Sequence, residues 1–236
     1  MKTAVVTGAS SGVGTEVAKR LVARGWKVYG LARSPVPLEM VRAELGAGFV
    51  PVPTDVRQAS SVAAAFATIA ASLTGKDGPR IDLLVNNAAV FKMAEFATCS
   101  LSDIDNLIDT NLKGTLYCTH AALALLGPGS RIVNIGSVAG THGIANQAIY
   151  CASKFGVDGF AEALNQELIG RGISITTICP GGIDTPLWQD ASNPYPGDLS
   201  KILDPGDVAG LVEYVAGLPQ RVVLKKAVLF PSNEWH

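Results

Sequence analysis

Ser137, Tyr150 and Lys154 are the residues whose types and spacing suit proton transfer. A tyrosine and a lysine four apart on a helix stand on one face, with Cβ atoms about 5–6 Å apart. The phenol can move a proton, and the ammonium can stabilise the phenolate. Free tyrosine titrates near pH ~10 and is a poor base at neutral pH, but a nearby cation lowers that value. Ser137 follows residues 131–135, an apolar run that reads as a buried strand. A hydroxyl, a phenol and an ammonium therefore converge on one small molecule if the end of that strand meets the start of the helix carrying Tyr150.

The elements that must position these groups alternate along the chain. Residues 2–7 form a short β-branched run, a strand, followed by Gly8-Ala9-Ser10-Ser11-Gly12-Val13-Gly14. Behind this turn, Val17, Ala18, Leu21 and Val22 make an apolar stripe opposite Glu16, Lys19, Arg20 and Arg24, and Gly25 closes the helix. Residues 26–31 return as a second strand. In such a βαβ unit the helix N-terminus points at the turn, where free backbone N–H groups and the helix dipole favour a phosphate. The spacing is Gly8-x-x-x-Gly12-x-Gly14, which differs from the G-x-G-x-x-G dinucleotide pattern.

Further strands are expected at residues 49–52, 81–85, 131–135, 173–178 and 227–230. Helices are expected at 60–73, at 102–126 with an interruption near Asn111 and Gly114, and at 150–169. A last helix opens with Asp204-Pro205-Gly206-Asp207 and ends at Gly217. Repeated strand–helix alternation predicts an α/β fold, a parallel sheet covered on both faces, in one domain over residues 1–236. Residues 185–203 form the longest irregular stretch and read as a substrate loop. Ligands of such sheets sit beyond the carboxyl ends of the strands, so one rim should carry the glycine turn, Arg33, Asp55, Asn87, Ser137 and Pro180-Gly181.

Composition narrows the class of partner. The net charge is -1 with no long basic run, which argues against nucleic acid and anionic membranes. The apolar run 121–126 is far short of the ~20 residues that span a bilayer. The first strand begins at Lys2, leaving no room for a cleaved leader. The four cysteines show no CxxC pairing and read as reduced, ordinary buried thiols of a cytoplasmic protein. No metal site is expected. Charged residues make up 17% of the chain, against roughly 25% on average, and the spare apolar surface points to oligomers.

The motifs, taken in order, resemble the short-chain dehydrogenase/reductase family. They are Thr7-Gly8-x-x-x-Gly12-x-Gly14, Asp55-Val56, Asn86-Asn87-Ala88, Asn111 within Thr110-Asn111-Leu112-Lys113-Gly114, Ser137, Tyr150-x-x-x-Lys154 and Pro180-Gly181. The resemblance runs from Lys2 to about Phe230. Ala89 departs from it, standing where glycine is usual.

The resemblance implies a Rossmann-type, doubly wound sheet of seven parallel strands. It implies a tetrad of Asn111, Ser137, Tyr150 and Lys154. In it Tyr150 is the acid/base, Lys154 holds the nicotinamide ribose, Ser137 bonds the substrate oxygen, and Asn111 holds a water linking Lys154 to solvent. The implied cofactor site comprises Gly8, Ser10, Ser11, Gly12, Val13, Gly14, Arg33, Asp55, Val56, Asn87, Ala88, Ala89, Tyr150, Lys154, Pro180, Gly181, Ile183 and Thr185. Relatives that use NAD(H) generally carry an acid at the end of the second strand, whereas this strand ends in Ala32-Arg33. A guanidinium suits a 2′-phosphate, so NADP(H) is preferred. NAD(H) stays open, because Ser11 stands where many NADP-dependent relatives have a basic residue.

The expected substrate pocket holds Phe91, Met93, His142, Ile144, Gln147, Ile183, Leu187, Trp188 and Tyr195. Its apolar character points to a hydrophobic ketone or aldehyde, with His142 an ordinary loop histidine. The apolar helices at 112–126 and 150–169 cannot hide both faces on one sheet, and the resemblance implies that they pair across subunits of a homodimer or homotetramer. A non-catalytic dinucleotide-binding sensor is the competing reading, although a sensor has no need to keep the four polar groups together.

Overall fold

Short runs of Val, Ile and Leu that are apolar on both faces need cover on both faces, and a parallel sheet with helices on each side supplies it. The computed structural model describes residues 1–73, 78–188 and 195–233 and shows this arrangement. Seven strands lie in the order β3-β2-β1-β4-β5-β6-β7. They are β1 (Thr3–Thr7), β2 (Lys27–Ala32), β3 (Phe49–Pro53), β4 (Ile81–Asn86), β5 (Leu126–Ile135), β6 (Ser174–Pro180) and β7 (Lys226–Leu229). Every neighbouring pair is parallel. The chain first builds outward from β1 through β2 to β3, then restarts on the other side of β1 with β4. The carboxyl ends of β1 and β4 therefore open a crevice where ligands of doubly wound sheets bind.

Helices α1 (Gly12–Ala23), α2 (Pro35–Leu45) and α7 (Pro205–Gly217) cover one face. Their core includes Val17, Leu21, Leu38, Val41, Val208 and Val212. Helices α3 (Ala59–Ser72), α5 (Gly114–Ala122) and α6 (Ala148–Leu168) cover the other, through Phe66, Ile69, Cys118, Leu164 and Leu168.

Helix α2 is absent from the sequence reading. Pro35 and Pro37 look like loop punctuation, yet proline in a first turn costs no hydrogen bond, because the first N–H groups of a helix have no intrahelical acceptor.

The helix expected over 102–126 is corrected in two ways. It starts as α4 (Leu101–Leu107), under a capping box between Ser100 and Asp103. The expected interruption near Asn111 is a π-helical stretch, Ile108–Lys113, after which the chain continues as α5. Here the Thr115 hydroxyl donates to the Asn111 carbonyl at 2.8 Å. Gly114 lets the helix close on Val56, whose Cγ2 would lie 2.9 Å from a Cβ at that position. The helix ends at Ala122, and strand β5 begins at Leu126, earlier than its apolar run.

Arg131, in β5, is 5% exposed. Among the described residues its guanidinium pairs with no carboxylate. It donates instead to the carbonyls of Leu218, Pro219 and Val222 and to the Ser174 hydroxyl. Burial pulls its pKa down. The contact ties the chain after α7 to the middle of the sheet. The irregular stretch 185–203 contains short turns at Pro186–Trp188 and Leu199–Lys201. Its residues 189–194, including Asn193 and Pro194, lie outside the described residues. The four cysteines are free, three of them buried. Among the described residues no helix is long and apolar enough to cross a membrane.

Candidate active site

The carboxyl ends of the strands open into a cavity of about 750 Å³. Its nucleotide side is built from the β1–α1 turn. Gly8 and Gly12 have φ of 65° and 53°, backbone that glycine adopts without a Cβ penalty. A Cβ on Gly14 would collide with the Gly8 carbonyl, so this glycine lets α1 start hard against the turn. Ser11 precedes α1 in extended conformation, makes no capping bond, and no acid follows in the first turn. The N–H groups at the start of α1 thus keep their capacity for an anion.

Asn87 fastens the turn to β4. Its side chain donates to the carbonyls of Thr7 and Gly8 at 2.9 and 3.2 Å. The Thr7 hydroxyl accepts from the N–H groups of Asn87 and Ala88 at 2.9 and 3.0 Å. Thr185, from beyond β6, rests its Cγ2 3.1 Å from where a Gly12 Cβ would be.

Gly8, Ser10, Ser11, Gly12, Val13, Arg33, Asp55, Val56, Asn87, Ala88 and Ala89 all line the cavity, as do Pro180, Gly181, Ile183 and Thr185. Gly14 stands behind its wall. This lining fits a dinucleotide: an uncapped helix N-terminus for the pyrophosphate, a guanidinium at the end of β2, and a carboxylate at the end of β3.

The reaction side gathers groups from β4, β5, α6 and the chain after β6. The N-terminal end of α6 brings Tyr150 to the cavity wall beside Ser137. The Lys154 ammonium lies 5.6 Å from the centre of the Tyr150 ring. Lys154 is 4% exposed, and its ammonium donates to the Ile135 carbonyl at 2.9 Å. Burial pulls its pKa down to about 8, partly offset by Cys179.

Burial pushes the Tyr150 phenol up to about 12, against the lowering effect of its hydrogen bond to Ser137. The sequence reading expected Lys154 to lower that value. Burial dominates instead, with Phe91 packed edge-on against Tyr150 at 4.8 Å, and Lys154 is not among the groups that shift the phenol. The Ser137 hydroxyl also accepts from the Ala139 N–H at 3.1 Å.

Asn111 is buried and does not line the cavity. Its side chain accepts from the Val90 N–H at 2.8 Å and donates to the Val90 carbonyl at 2.9 Å and to Ser153 at 3.1 Å. It therefore fixes the chain after β4 against α6. No hydrogen bond joins it to Lys154 among the described residues.

The expected pocket residues His142, Ile144, Gln147, Ile183, Leu187, Trp188 and Tyr195 line the same cavity, with Phe91 and Met93. Rings step outward from the phenol. Phe91 meets Trp188 at 4.9 Å, and Trp188 meets Tyr195 at 4.8 Å, all edge-to-face. The Trp188 indole donates to the Ile183 carbonyl at 2.9 Å, which fixes its plane. His142 Nδ1 lies 3.1 Å from the Thr141 hydroxyl.

Sequence reasoning missed Arg57, which lines the cavity and pairs with Asp55. It also missed Thr110, whose buried hydroxyl has no partner among the described residues. Its place just beyond the strand end could have flagged Arg57, and its place in the Thr110-Asn111-Leu112-Lys113-Gly114 run could have flagged Thr110.

The family model described as short chain dehydrogenase matches residues 2–196. Serine 3-dehydrogenase from Agrobacterium fabrum (strain C58 / ATCC 33970) is 33% identical over 241 residues, 98% of this chain and 94% of that protein. The closed form of a serine dehydrogenase complexed with NADP+ superposes with a TM-score of 0.86 at 30% identity, covering 99% of this chain and 96% of that one. A single-site variant of actinorhodin polyketide ketoreductase with NADPH gives 0.84 at 30%, covering 98% and 96%. The fold, the cavity at its switch point and these likenesses agree: the chain belongs to the short chain dehydrogenase family and is an NAD(P)(H)-dependent oxidoreductase of alcohol and carbonyl groups.

Proposed function

We propose that this protein reduces a hydrophobic ketone or aldehyde with NADPH, or runs the reverse oxidation, with Tyr150 as general acid/base. The carrying observation is that one cavity is lined by the uncapped turn before α1, by Arg33, and by Ser137, Tyr150 and Lys154. When bound, the nicotinamide supplies the two electrons and hydrogen that a carbonyl carbon accepts. The chain's own residues do the rest. Ser137 bonds the substrate oxygen and Tyr150 delivers its proton. Lys154, less basic than a free lysine, stabilises the phenolate left behind and re-supplies the proton. Asn111 acts by holding the Val90 backbone, and thus the wall beside Phe91, against α6. A phenol raised to about 12 is poorly ionised at neutral pH, so it starts as the acid, which suits carbonyl reduction.

The preference for NADP(H) rests on Arg33 beside Ser34 at the end of β2, with no acid there, and is supported by relatives solved with NADP+ or NADPH. The aromatic wall of Phe91, Trp188 and Tyr195 supports a substrate with a sizeable apolar group. The protein works in the cytoplasm as a homodimer or homotetramer. Phe155, 46% exposed on the outer face of α6, supports such a contact.

The test is NADPH oxidation against a panel of aromatic and aliphatic ketones, with NADPH and NADH affinities measured on Arg33→Asp. Turnover of apolar ketones is expected, and Arg33→Asp should weaken NADPH far more than NADH. Cofactor binding without turnover on any substrate would favour a sensor. Equal loss for both nucleotides would sink the NADP(H) assignment.

A further inference from the structure

The Asp55–Arg57 pair is the charged feature of the cavity that the reaction leaves unused. Arg57 closes on Asp55 with both Nε and Nη2. Nε lies 3.0 and 3.2 Å from the two carboxylate oxygens, and Nη2 lies 2.7 Å from Oδ2. The Arg57 backbone N–H adds a third donor, 3.1 Å from Oδ1. The bond from Arg57 leads the causes that hold the Asp55 carboxyl below its ordinary range, and the charge of Arg33 contributes as well. Arg33, Asp55 and Arg57 thus feel one another at one end of the cavity, and all three line it.

Two consequences follow from elementary electrostatics. An unpaired carboxylate at Asp55 would repel a phosphate placed by Arg33. It would also attract the Arg33 guanidinium, which makes no ion pair among the described residues. Arg57 removes both effects by occupying both carboxylate oxygens. Three charged groups then present a net positive corner rather than a neutral one. Neighbouring acids do not cancel this: Asp109, whose charge reaches Arg57, is itself paired with Lys113 at 2.8 Å. The remaining N–H groups of Arg57 make no hydrogen bond among the described residues.

We propose that Arg57 is a specificity-determining residue for the 2′-phosphorylated nucleotide, acting by masking Asp55 and leaving Arg33 for the phosphate. The inference rests on the NADP(H) reading above. A merely structural Arg57, pinning the turn from β3 into α3, would affect both nucleotides alike.

The experiment measures NADPH and NADH dissociation constants by protein fluorescence on full-length wild type, Arg57→Gln, Arg57→Lys and the double variant Asp55→Asn/Arg57→Gln. Thermal unfolding checks that each is folded. Arg57→Gln should lower the NADPH-over-NADH preference by about tenfold, the scale of one charge contact in a partly solvated site. Arg57→Lys should retain most of the preference, since charge rather than fork geometry does the masking. The double variant should recover most of what Arg57→Gln loses, because the carboxylate that needed masking is gone.

Equal weakening of both nucleotides in Arg57→Gln, no weakening at all, or no recovery in the double variant would each overturn the proposal. A wild type with no preference for NADPH would overturn the cofactor reading and this inference with it. A preference that Arg33→Asp abolishes and Arg57→Gln leaves intact would overturn this inference alone.

Discussion

The two sides of the cavity are made by different means. On the nucleotide side the working parts are backbone and formal charge. The turn before α1 folds within seven consecutive residues, Gly8 to Gly14, and Asp55 meets a partner two positions away. On the reaction side the parts are uncharged or nearly so, and come from far apart. Phe91, Ser137, Tyr150, Trp188 and Tyr195 meet only because β4, β5, α6 and the chain after β6 converge. Charge is handled oppositely too. Asp55 is stabilised as an anion by its partner, whereas burial pushes Lys154 and Tyr150 towards their neutral forms. One side grips a permanently charged ligand, while the other must exchange a proton and so cannot hold its charges too well.

Breaking the reaction side alone should show that the two are separable. Tyr150→Phe removes the transferable proton and leaves the ring against Phe91. Turnover should fall on the order of 10²–10⁴-fold with NADPH affinity nearly unchanged. Steady-state kinetics beside a binding titration checks this, and a matching loss of affinity would show the sides to be one unit.

Lys154 sharpens the contrast through stability. Its pKa is lowered from 10.5 to about 8 in the folded chain, so between those values the unfolded chain binds more protons. Stability from this group is therefore present above the unfolded value and lost as pH falls towards 8, by on the order of 3 kcal/mol. Tyr150, with its pKa raised to about 12, acts in the opposite sense above pH ~10. Burial also raises the Cys118 and Cys179 thiols from 9.0, and they oppose Lys154 from about pH 9, so the effect is read as the difference between Lys154→Met and wild type over a window of pH 8 to about 10, where both thiols cancel. Lys154→Met should gain stability relative to wild type at the low end of that window and lose the advantage at the high end, measured by urea unfolding. A pH-independent difference would place Lys154 among solvated lysines.

The smallest effect is expected at the outer aromatic wall. Trp188→Ala removes two edge-to-face contacts, each worth about 0.5–1.5 kcal/mol. KM for a bulky aryl ketone should rise about tenfold, while KM for a small ketone and NADPH affinity hardly move. A uniform rise would mean that Trp188 serves the loop rather than the substrate.

This division also explains what could be read from the sequence. The glycine turn, Arg33 and Asp55 sit at strand ends, and alternation alone puts strand ends on one rim. Tyr150 and Lys154 share a helix face by spacing. The side-chain partners of Asn111 were not legible: it bonds Val90 and Ser153, a pairing across 21 and 42 positions that no local pattern encodes. Helix α2 hid behind two prolines that helix starts tolerate. The π-helical stretch looked like a break because its signals, Asn111 and Gly114, are also those of a loop. Arg131 was invisible as a buried group, because an arginine opening a strand ordinarily reads as the exposed end.

The Arg131 clamp has a consequence for salt. Exposed or half-exposed charges lose their pull beyond about 10 Å at 0.1 M salt, while buried ones are screened far less. The corner of Arg33, Asp55 and Arg57 faces the cavity and its solvent. Arg131 instead spends its charge on carbonyl dipoles inside the sheet. That contact holds the chain leading into β7, and just beyond β7 Phe230 enters the cavity wall. Rising ionic strength therefore loosens the grip on a phosphate while the wall held by Arg131 keeps its shape.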